Sequence, residues 1–218
     1  MEKALIKDFI AKRVAKELKD GDVVNLGIGL PTLVPSHLPK DVTLVLQSEN
    51  GIIGTGTVAE ETAEPMYIVD AGGRPSMVSP SGSYIDSNVS FGLIRGGHVD
   101  ATVLGALEVD QKGNLANWLI PGKMVAGMGG AMDLVVGAKK VIVAMEHTAR
   151  GAAKILKECR LPLTAVQCVN VIITEMCVMR VMPEGLVLTE LNPEFTIADV
   201  KAATEAEFIV DENVIDMQ

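Results

Sequence analysis

One glutamate, Glu49, stands in the string Gln47-Ser48-Glu49-Asn50-Gly51, directly after the apolar run Val42-Thr43-Leu44-Val45-Leu46. The run reads as a buried strand, and the carboxyl ends of strands in open α/β sheets form the crevice where ligands bind. A carboxylate placed there is a nucleophile, a base or a solvated loop charge. Glutamates are ordinarily ionised at neutral pH, so a nucleophilic one needs no partner base. The other reactive residue types offer less. The chain has three histidines, His37, His98 and His147, and no Gly-x-Ser-x-Gly, so each histidine reads as structural rather than as the base of a hydrolase. Cys159, Cys168 and Cys177 lie nine apart, which is neither a zinc-type pair nor a disulfide framework. They read as ordinary reduced thiols. No histidine and carboxylate cluster points to a metal, and none is expected.

Three glycine-rich turns accompany the glutamate: Gly27-Ile28-Gly29, Gly54-Thr55-Gly56 and Gly127-Met128-Gly129-Gly130. The first is followed by Pro31-Thr32, so it completes no dinucleotide fingerprint, and no Gly-Lys-Ser/Thr supports triphosphate chemistry. Together the turns suggest backbone amides able to approach a ligand closely or hold an anion. Met124, Met128 and Met132 share a helical spacing that core packing explains. The residues alone reach an anion-friendly site with a candidate carboxylate nucleophile.

The elements that must position this site read as α/β. Leu5, Phe9, Ile10, Val14 and Leu18 recur at helical spacing, giving an amphipathic helix over 4–19. Strands are expected at 23–26, 42–47, 67–69, 101–107 and 141–145, with Pro31 opening a helix to about His37 and a short helix ending at Gly96-Gly97. Ser79-Pro80-Ser81-Gly82 has the composition of a turn, and 57–65 reads as a loop. Segments 169–181 and 186–191 flank Pro183-Glu184-Gly185 as a hairpin, and a helix at 197–203 and a strand at 208–210 follow. Strands alternating with helices and glycine turns indicate a layered α/β fold, and with 218 residues and no linker the chain is expected to form a single domain, 1–218. Aromatics at 3% leave a core of Val, Ile, Leu, Ala and Met, which suits a parallel sheet under helices. A net charge of −9 with no basic cluster argues against nucleic acid as a partner. No apolar run reaches the ~20 residues of a membrane span, and the first residues carry no signal pattern, so a cytoplasmic location is expected.

Longer strings point to a family. Asn25-Leu26-Gly27-Ile28-Gly29-Leu30-Pro31-Thr32 and Ser48-Glu49-Asn50-Gly51 closely resemble the β subunit of class I coenzyme A transferases. Arg95-Gly96-Gly97-His98-Val99-Asp100, Leu115 through Met124, Gly127 through Asp133, Met145-Glu146-His147 and Leu161-Pro162-Leu163-Thr164 extend the match along nearly the whole chain. The chain most resembles the short-chain and 3-oxoacid branch: acetate, butyrate–acetoacetate and succinyl-CoA:3-oxoacid transferases.

The resemblance implies a three-layer open sheet with parallel core strands, the CoA-transferase (NagB/RpiA-like) fold. It implies that Glu49 attacks an acyl-CoA and becomes a glutamyl-CoA thioester, in ping-pong kinetics. The Gly129-Gly130-Ala131 backbone would serve as oxyanion and CoA-binding amides, and Asn25, Gly27, Gly29, Ser48, Asn50 and Gly51 would line the pocket. Coenzyme A would enter as a thioester substrate, with no permanently bound cofactor. A separately encoded α subunit would complete a heterodimer or a heterotetramer or octamer. An acyl-CoA hydrolase and a non-catalytic ligand-binding subunit are the competing readings. The chain departs from relatives that read Asn-Ala-Gly where it has Asp70-Ala71-Gly72, and a negative charge facing the pocket would disfavour diacids.

Overall fold

A computed structural model describes Glu2 and residues 5–56, 67–125 and 127–217, so the loop expected at 57–65 lies outside the described residues. The first helix, α1 (Ile6–Ala15), buries Ile10, Ala11 and Val14 completely. Burying a side chain such as Ile10 or Val14 is worth on the order of 1.5–3 kcal/mol. The expected helix is longer than the observed one because its end tightens. Lys16, Glu17 and Leu18 donate to Arg13, Val14 and Ala15, an i→i+3 pattern that closes the helix as a 3₁₀-type turn.

Strand β1 (Val23–Leu26) leads into a 3₁₀ helix (Leu30–His37) with Pro31 in its first turn. β2 (Val45–Ser48) starts three residues later than expected, because Val42 and Thr43 bond to the Pro39 carbonyl and the Asp20 carboxylate instead of joining the ladder. β3 (Ile52–Gly56) and β4 (Met77–Tyr84) follow. Two readings change here. Gly54-Thr55-Gly56 is strand, not turn, and Ser79–Gly82 lies inside β4. Its turn composition has a cause: Ile53 pairs with Ser83 and Thr55 with Val78, so the residues between them bulge out opposite Gly54. β4 is the last strand of its sheet, where a bulge and Pro80 are tolerated. Among the described residues Tyr67-Ile68-Val69 forms a single bridge, Val69 to Pro75, rather than a strand.

Helix α2 (Ser87–Arg95) ends at Gly96, and β5 (Ala101–Leu104) follows. The chain then makes short strands, β6 (Glu108–Asp110), β7 (Leu115–Ala116), β8 (Leu119–Ile120) and β9 (Met124–Val125), before α3 (Ala131–Gly137). Met124 therefore lies on a strand and Met132 is 44% exposed, so their helical spacing does not mark a core stripe. After β10 (Val141–Ala144) come β11 (Thr148–Ala149), β12 (Ala152–Ala153) and β13 (Ile155–Leu156). The expected run at 169–181 divides into β14 (Val171–Ile173) and β15 (Cys177–Met182), which turn back on each other at Thr174–Met176. β16 (Gly185–Leu191), α4 (Ile197–Ala203) and β17 (Ile209–Asp216) complete the order. Thr196 and Asp199 form a capping box at the start of α4.

The main sheet runs β17-β16-β15-β14-β10-β5-β1-β2-β3-β4. Its centre, β14-β10-β5-β1-β2, is parallel throughout, and antiparallel strands flank it on both sides. Alternation along β10 divides two cores. Val141 and Val143 face a cluster with Val109, Leu115, Ile155 and Val200, whereas Ile142 and Ala144 face Ile10, Val14 and Val34. The small sheet β13-β6-β7 and α4 therefore cover one face, and α1 with the 3₁₀ helix covers the other. This is a three-layer α/β fold with a parallel centre.

One buried ionic network fastens α1 to the sheet. Arg13 binds both oxygens of Glu190 on β16 and donates to Glu17 Oε1 at 2.8 Å. Glu17 also receives Arg180 Nη2 at 2.7 Å and Lys140, so three cations converge on one carboxylate that is 6% exposed. Burial pushes the Glu17 pKa up, but the bonds from Arg180, Lys140 and Arg13 outweigh it and hold the carboxyl down at about 2, below its ordinary 4.5. A depressed acid adds stability that is complete above its unfolded pKa and disappears as pH falls through the folded one. Glu17→Ala takes this partner from Lys140 and Arg180 and leaves Arg13 with Glu190 alone, and breaking such a buried network costs about 3–5 kcal/mol. Urea unfolding at neutral pH is expected to show that loss. Between pH 4.5 and 2 the wild type should lose stability more steeply than the variant, and parallel pH curves for the two would contradict this role.

Candidate active site

Glu49 lies where β2 ends. The Gly51 amide donates to the Ser48 carbonyl at 3.0 Å, closing a turn through Glu49 and Asn50 from which β3 returns antiparallel. Gly51 has φ of 133°, and a Cβ there would meet the Ile85 carbonyl oxygen at 2.4 Å, so this turn admits glycine alone. β1 and β2 run parallel side by side, which places the turn at the carboxyl edge of the central strands. That is where an open α/β sheet offers its ligand crevice.

Neighbouring elements hold the turn from three sides. From β1, Asn25 Nδ2 donates to Glu49 Oε2 at 3.0 Å, to Gln47 Oε1 at 2.9 Å and to the Gln47 carbonyl at 3.2 Å. Gln47 Nε2 donates in turn to Ser90 Oγ on α2 at 2.7 Å. Gln47, Asn25 and Thr102 stand in register across β2, β1 and β5, a polar row within an apolar sheet. Thr102 Oγ1 is buried without a partner among the described residues. On the second side, Ser48 Oγ accepts from the Ala71 amide and Asn50 Nδ2 donates to the Val69 carbonyl, both at 2.8 Å. These bonds dock the segment that carries Asp70. Asp70 spends its carboxylate within its own turn, on the amides of Gly72 and Arg74 and on the Arg74 guanidinium at 3.2 Å. Its charge is therefore answered locally.

The third side is Gly130, the residue before α3. Its φ of −84° suits any residue, so backbone freedom does not explain the glycine. Space does: a Cβ would lie 2.8 Å from Glu49 Cγ and 3.2 Å from Oε1. The Glu49 side chain rests directly on the bare Cα. The amide of Ala131 is already bonded to the Met128 carbonyl at 3.1 Å, whereas those of Gly129 and Gly130 have no acceptor among the described residues.

The structure thus gathers Asn25, Ser48, Asn50, Gly51 and Gly130 around Glu49, with Gly129 and Ala131 adjoining in the chain. Gly27 and Gly29 sit just beyond Asn25. The Gly27 amide is spent on the Val103 carbonyl at 2.8 Å, and the Gly29 carbonyl accepts from Thr32. Glu49 is half-buried, its hydrogen-bond donor is a neutral amide, and it has no ion-pair partner among the described residues. A carboxylate held this way keeps its lone pairs for an electrophile. Gln47 and Ser90 belong to the same assembly, yet no local pattern marks them, because they meet only when α2 packs over β2.

The other reactive types stand apart from this geometry. His147 is fully buried between the hydroxyls of Thr174 and Thr204, each at 2.9 Å. Burial, then the charge of Lys154, drive its pKa down to about 4, so it is neutral and structural. His37 pairs with Asp8 at 2.8 Å, and His98 is exposed. Burial raises the thiols of Cys159 and Cys177 to about 12 and that of Cys168 to about 11, which leaves little thiolate. Among the described residues no group of three or more His, Cys, Asp or Glu could hold a metal, and no helix is long and apolar enough to cross a membrane.

Comparison with known proteins identifies the family. The family model described as coenzyme A transferase matches residues 7–203. The β subunit of the acetate CoA-transferase of Haemophilus influenzae is 56% identical over 213 residues, which cover 97% of this chain and 95% of that one. One subunit of the succinyl-CoA:3-ketoacid coenzyme A transferase of Helicobacter pylori is 48% identical over 206 residues, 94% of this chain and 99% of that one. Among solved structures, an acyl-CoA transferase apoenzyme from Escherichia coli O157:H7 superposes with a TM-score of 0.76 at 22% identity. It covers 98% of this chain, which spans only 43% of that longer one.

The contact between Gly130 and Glu49 makes a structural prediction. Gly130→Ala is expected to keep the fold while swinging the Glu49 side chain off the position where Oε2 lies 3.0 Å from Asn25 Nδ2. A crystal structure of the variant checks this; an unmoved Glu49 beside the new methyl would contradict it.

Proposed function

The chain belongs to the coenzyme A transferase family as a β subunit, and from that premise we propose that Glu49 is its nucleophile and carries coenzyme A as a glutamyl thioester. The single observation behind this reading is the half-buried carboxylate at the carboxyl edge of the sheet, bonded to Asn25 and seated on Gly130. The Glu49 carboxylate attacks the carbonyl of the donor acyl-CoA and expels the CoA thiolate, leaving a mixed acyl-glutamyl anhydride. The thiolate then attacks the glutamyl carbonyl, releasing the donor acid and leaving the glutamyl-CoA thioester. An acceptor carboxylate reverses the two steps, forming the new acyl-CoA and freeing Glu49. Each step passes through a tetrahedral oxyanion, and the amides of Gly129 and Gly130, which have no acceptor among the described residues, are the proposed donors. One such donor is typically worth about 3–4 kcal/mol.

The proposed substrates are short-chain acyl-CoA or 3-oxoacyl-CoA donors with acetate, butyrate, acetoacetate or succinate as acids. The names of the two relatives above, one an acetate and one a succinyl-CoA:3-ketoacid transferase, support that class. With Asp70 answered by Arg74, no repulsion of diacids is proposed. The proposed partner is a separately encoded α subunit. The relatives' designation as subunits supports it, as does the longer chain of the structural neighbour. So do the exposed apolar side chains near the site in sequence, Ile28 at 76%, Tyr67 at 94% and Val125 at 69%. The chain itself is proposed to act as a single domain.

Steady-state kinetics on the co-purified α/β assembly test the reading. Initial rates against donor and acceptor are expected to give the parallel double-reciprocal lines of a ping-pong mechanism. Glu49→Gln should abolish turnover. Glu49→Asp, which withdraws the carboxylate by one methylene, should lower kcat about 100-fold, since a ~1 Å misplacement costs that much. Near-normal turnover by either variant would overturn the assignment. Rapid thiol release without any acceptor acid would make the protein a hydrolase instead.

A further inference from the structure

An asparagine amide has two ends of nearly the same shape and opposite polarity. The Nδ2 end attracts a carboxylate, which only accepts hydrogen bonds, and the Oδ1 end repels it. Asn25 is 2% exposed, so water has little access to soften the wrong choice, and the amide that touches Glu49 must be told which way to face. Its local backbone does not tell it. Two partners on the next strand give the instruction: the Gln47 carbonyl, which only accepts, takes a bond from Nδ2 at 3.2 Å, and the Gln47 side chain, braced by the helix above, adds a second. Gln47 is 4% exposed and Ser90 fully buried. Gln47 Nε2 can only donate, and it donates to Ser90 Oγ at 2.7 Å. That bond anchors the Gln47 amide beside Asn25, where Oε1 accepts from Nδ2 at 2.9 Å. With Nδ2 drawn to that side, its second hydrogen lies on Glu49 Oε2 at 3.0 Å.

We propose that Gln47 and Ser90 are positioning residues for Glu49, acting through Asn25 by fixing the orientation of its amide. The inference rests on the reading of Glu49 as nucleophile. Ser90, Gln47 and Asn25 form a hydrogen-bonded chain that ends on Glu49; the carboxylate only accepts, which fixes the polarity of the Asn25 and Gln47 amides, and the Ser90 hydroxyl anchors the far end of Gln47. Ser90 sits on α2, whose residues Phe91 and Ile94 pack with Leu134 of α3, the helix that Gly130 opens. The same helix therefore sets both the amide that binds Glu49 and the backbone against which Glu49 rests.

The test is a double-mutant cycle on the assembled α/β complex, each variant first confirmed as assembled by size exclusion. Gln47→Met keeps the length of the side chain and removes both polar ends. It is expected to lower kcat by about 10–100-fold, as a sub-ångström loss of alignment would, while KM for acyl-CoA stays within about threefold of wild type. Asn25→Ala should lose at least as much. If Gln47 works through Asn25, adding Gln47→Met to Asn25→Ala lowers kcat no further, because the interaction it supports is already gone. A double variant whose loss equals the product of the two singles would overturn the relay, and so would a Gln47→Met enzyme with normal kcat. Ser90→Ala, which removes one oxygen, keeps the question open to test if Gln47→Met does not assemble. It should lower kcat without raising KM, and unchanged kcat would overturn the relay. Glu49→Gln separates the two claims. If it is inactive while Gln47→Met is unimpaired, the relay alone fails. If it turns over normally, the nucleophile reading fails and takes the relay with it.

Discussion

The contact on which the site depends is the Glu49 side chain lying against the unsubstituted Cα of Gly130, with a Cβ there only 2.8 Å from Glu49 Cγ. A carboxylate at the lip of a sheet would ordinarily be loose and fully hydrated. Here it is pressed between the start of α3 on one side and Asn25 of β1 on the other, and a tight turn closed by Gly51 sets its height above the sheet. No cation is used. A salt bridge would hold the group equally well, but it would tie up the lone pairs that a nucleophile needs. A neutral amide and a steric seat order the carboxylate without a counter-charge, as the proposed nucleophile requires.

Charge is handled in the opposite way at the scaffold. Glu17 and Glu190 are paired as fully as carboxylates can be, by Arg13, Lys140 and Arg180, and they join α1 to β15, β16 and the start of β10. Such buried networks specify which element meets which more than they add net stability. Asp70 follows the same logic on a smaller scale, because its carboxylate folds its own turn and meets Arg74. These acidic groups of the scaffold are paired, and among the described residues the one at the crevice has a single neutral donor.

Much of this is legible in the residues. The apolar run before Glu49, the glycine after it and the parallel-sheet composition place a carboxylate at a strand end, and the structure puts it there. Gly130 is legible as a glycine near an anion, but not as a seat for Glu49, because its need is steric and comes from a residue far away in the chain. Ser90 and Gln47 are not legible at all. They are 43 residues apart and lie on different elements, and a buried serine on a helix has no pattern of its own. β4 escapes a sequence reading for a related reason. Local composition describes its bulge correctly as turn-like, while the pairing that makes it a strand belongs to β3.

Whether Glu49 becomes covalently linked to coenzyme A is tested most directly by trapping. The assembled α/β protein is incubated with an acyl-CoA donor and no acceptor acid, treated with borohydride, digested and mapped by mass spectrometry. A glutamyl thioester is reduced to the alcohol, so the peptide spanning Gln47-Ser48-Glu49-Asn50-Gly51 should carry that reduction at Glu49 and nowhere else. An unmodified Glu49 in an assembly that is turning over substrate would contradict the account.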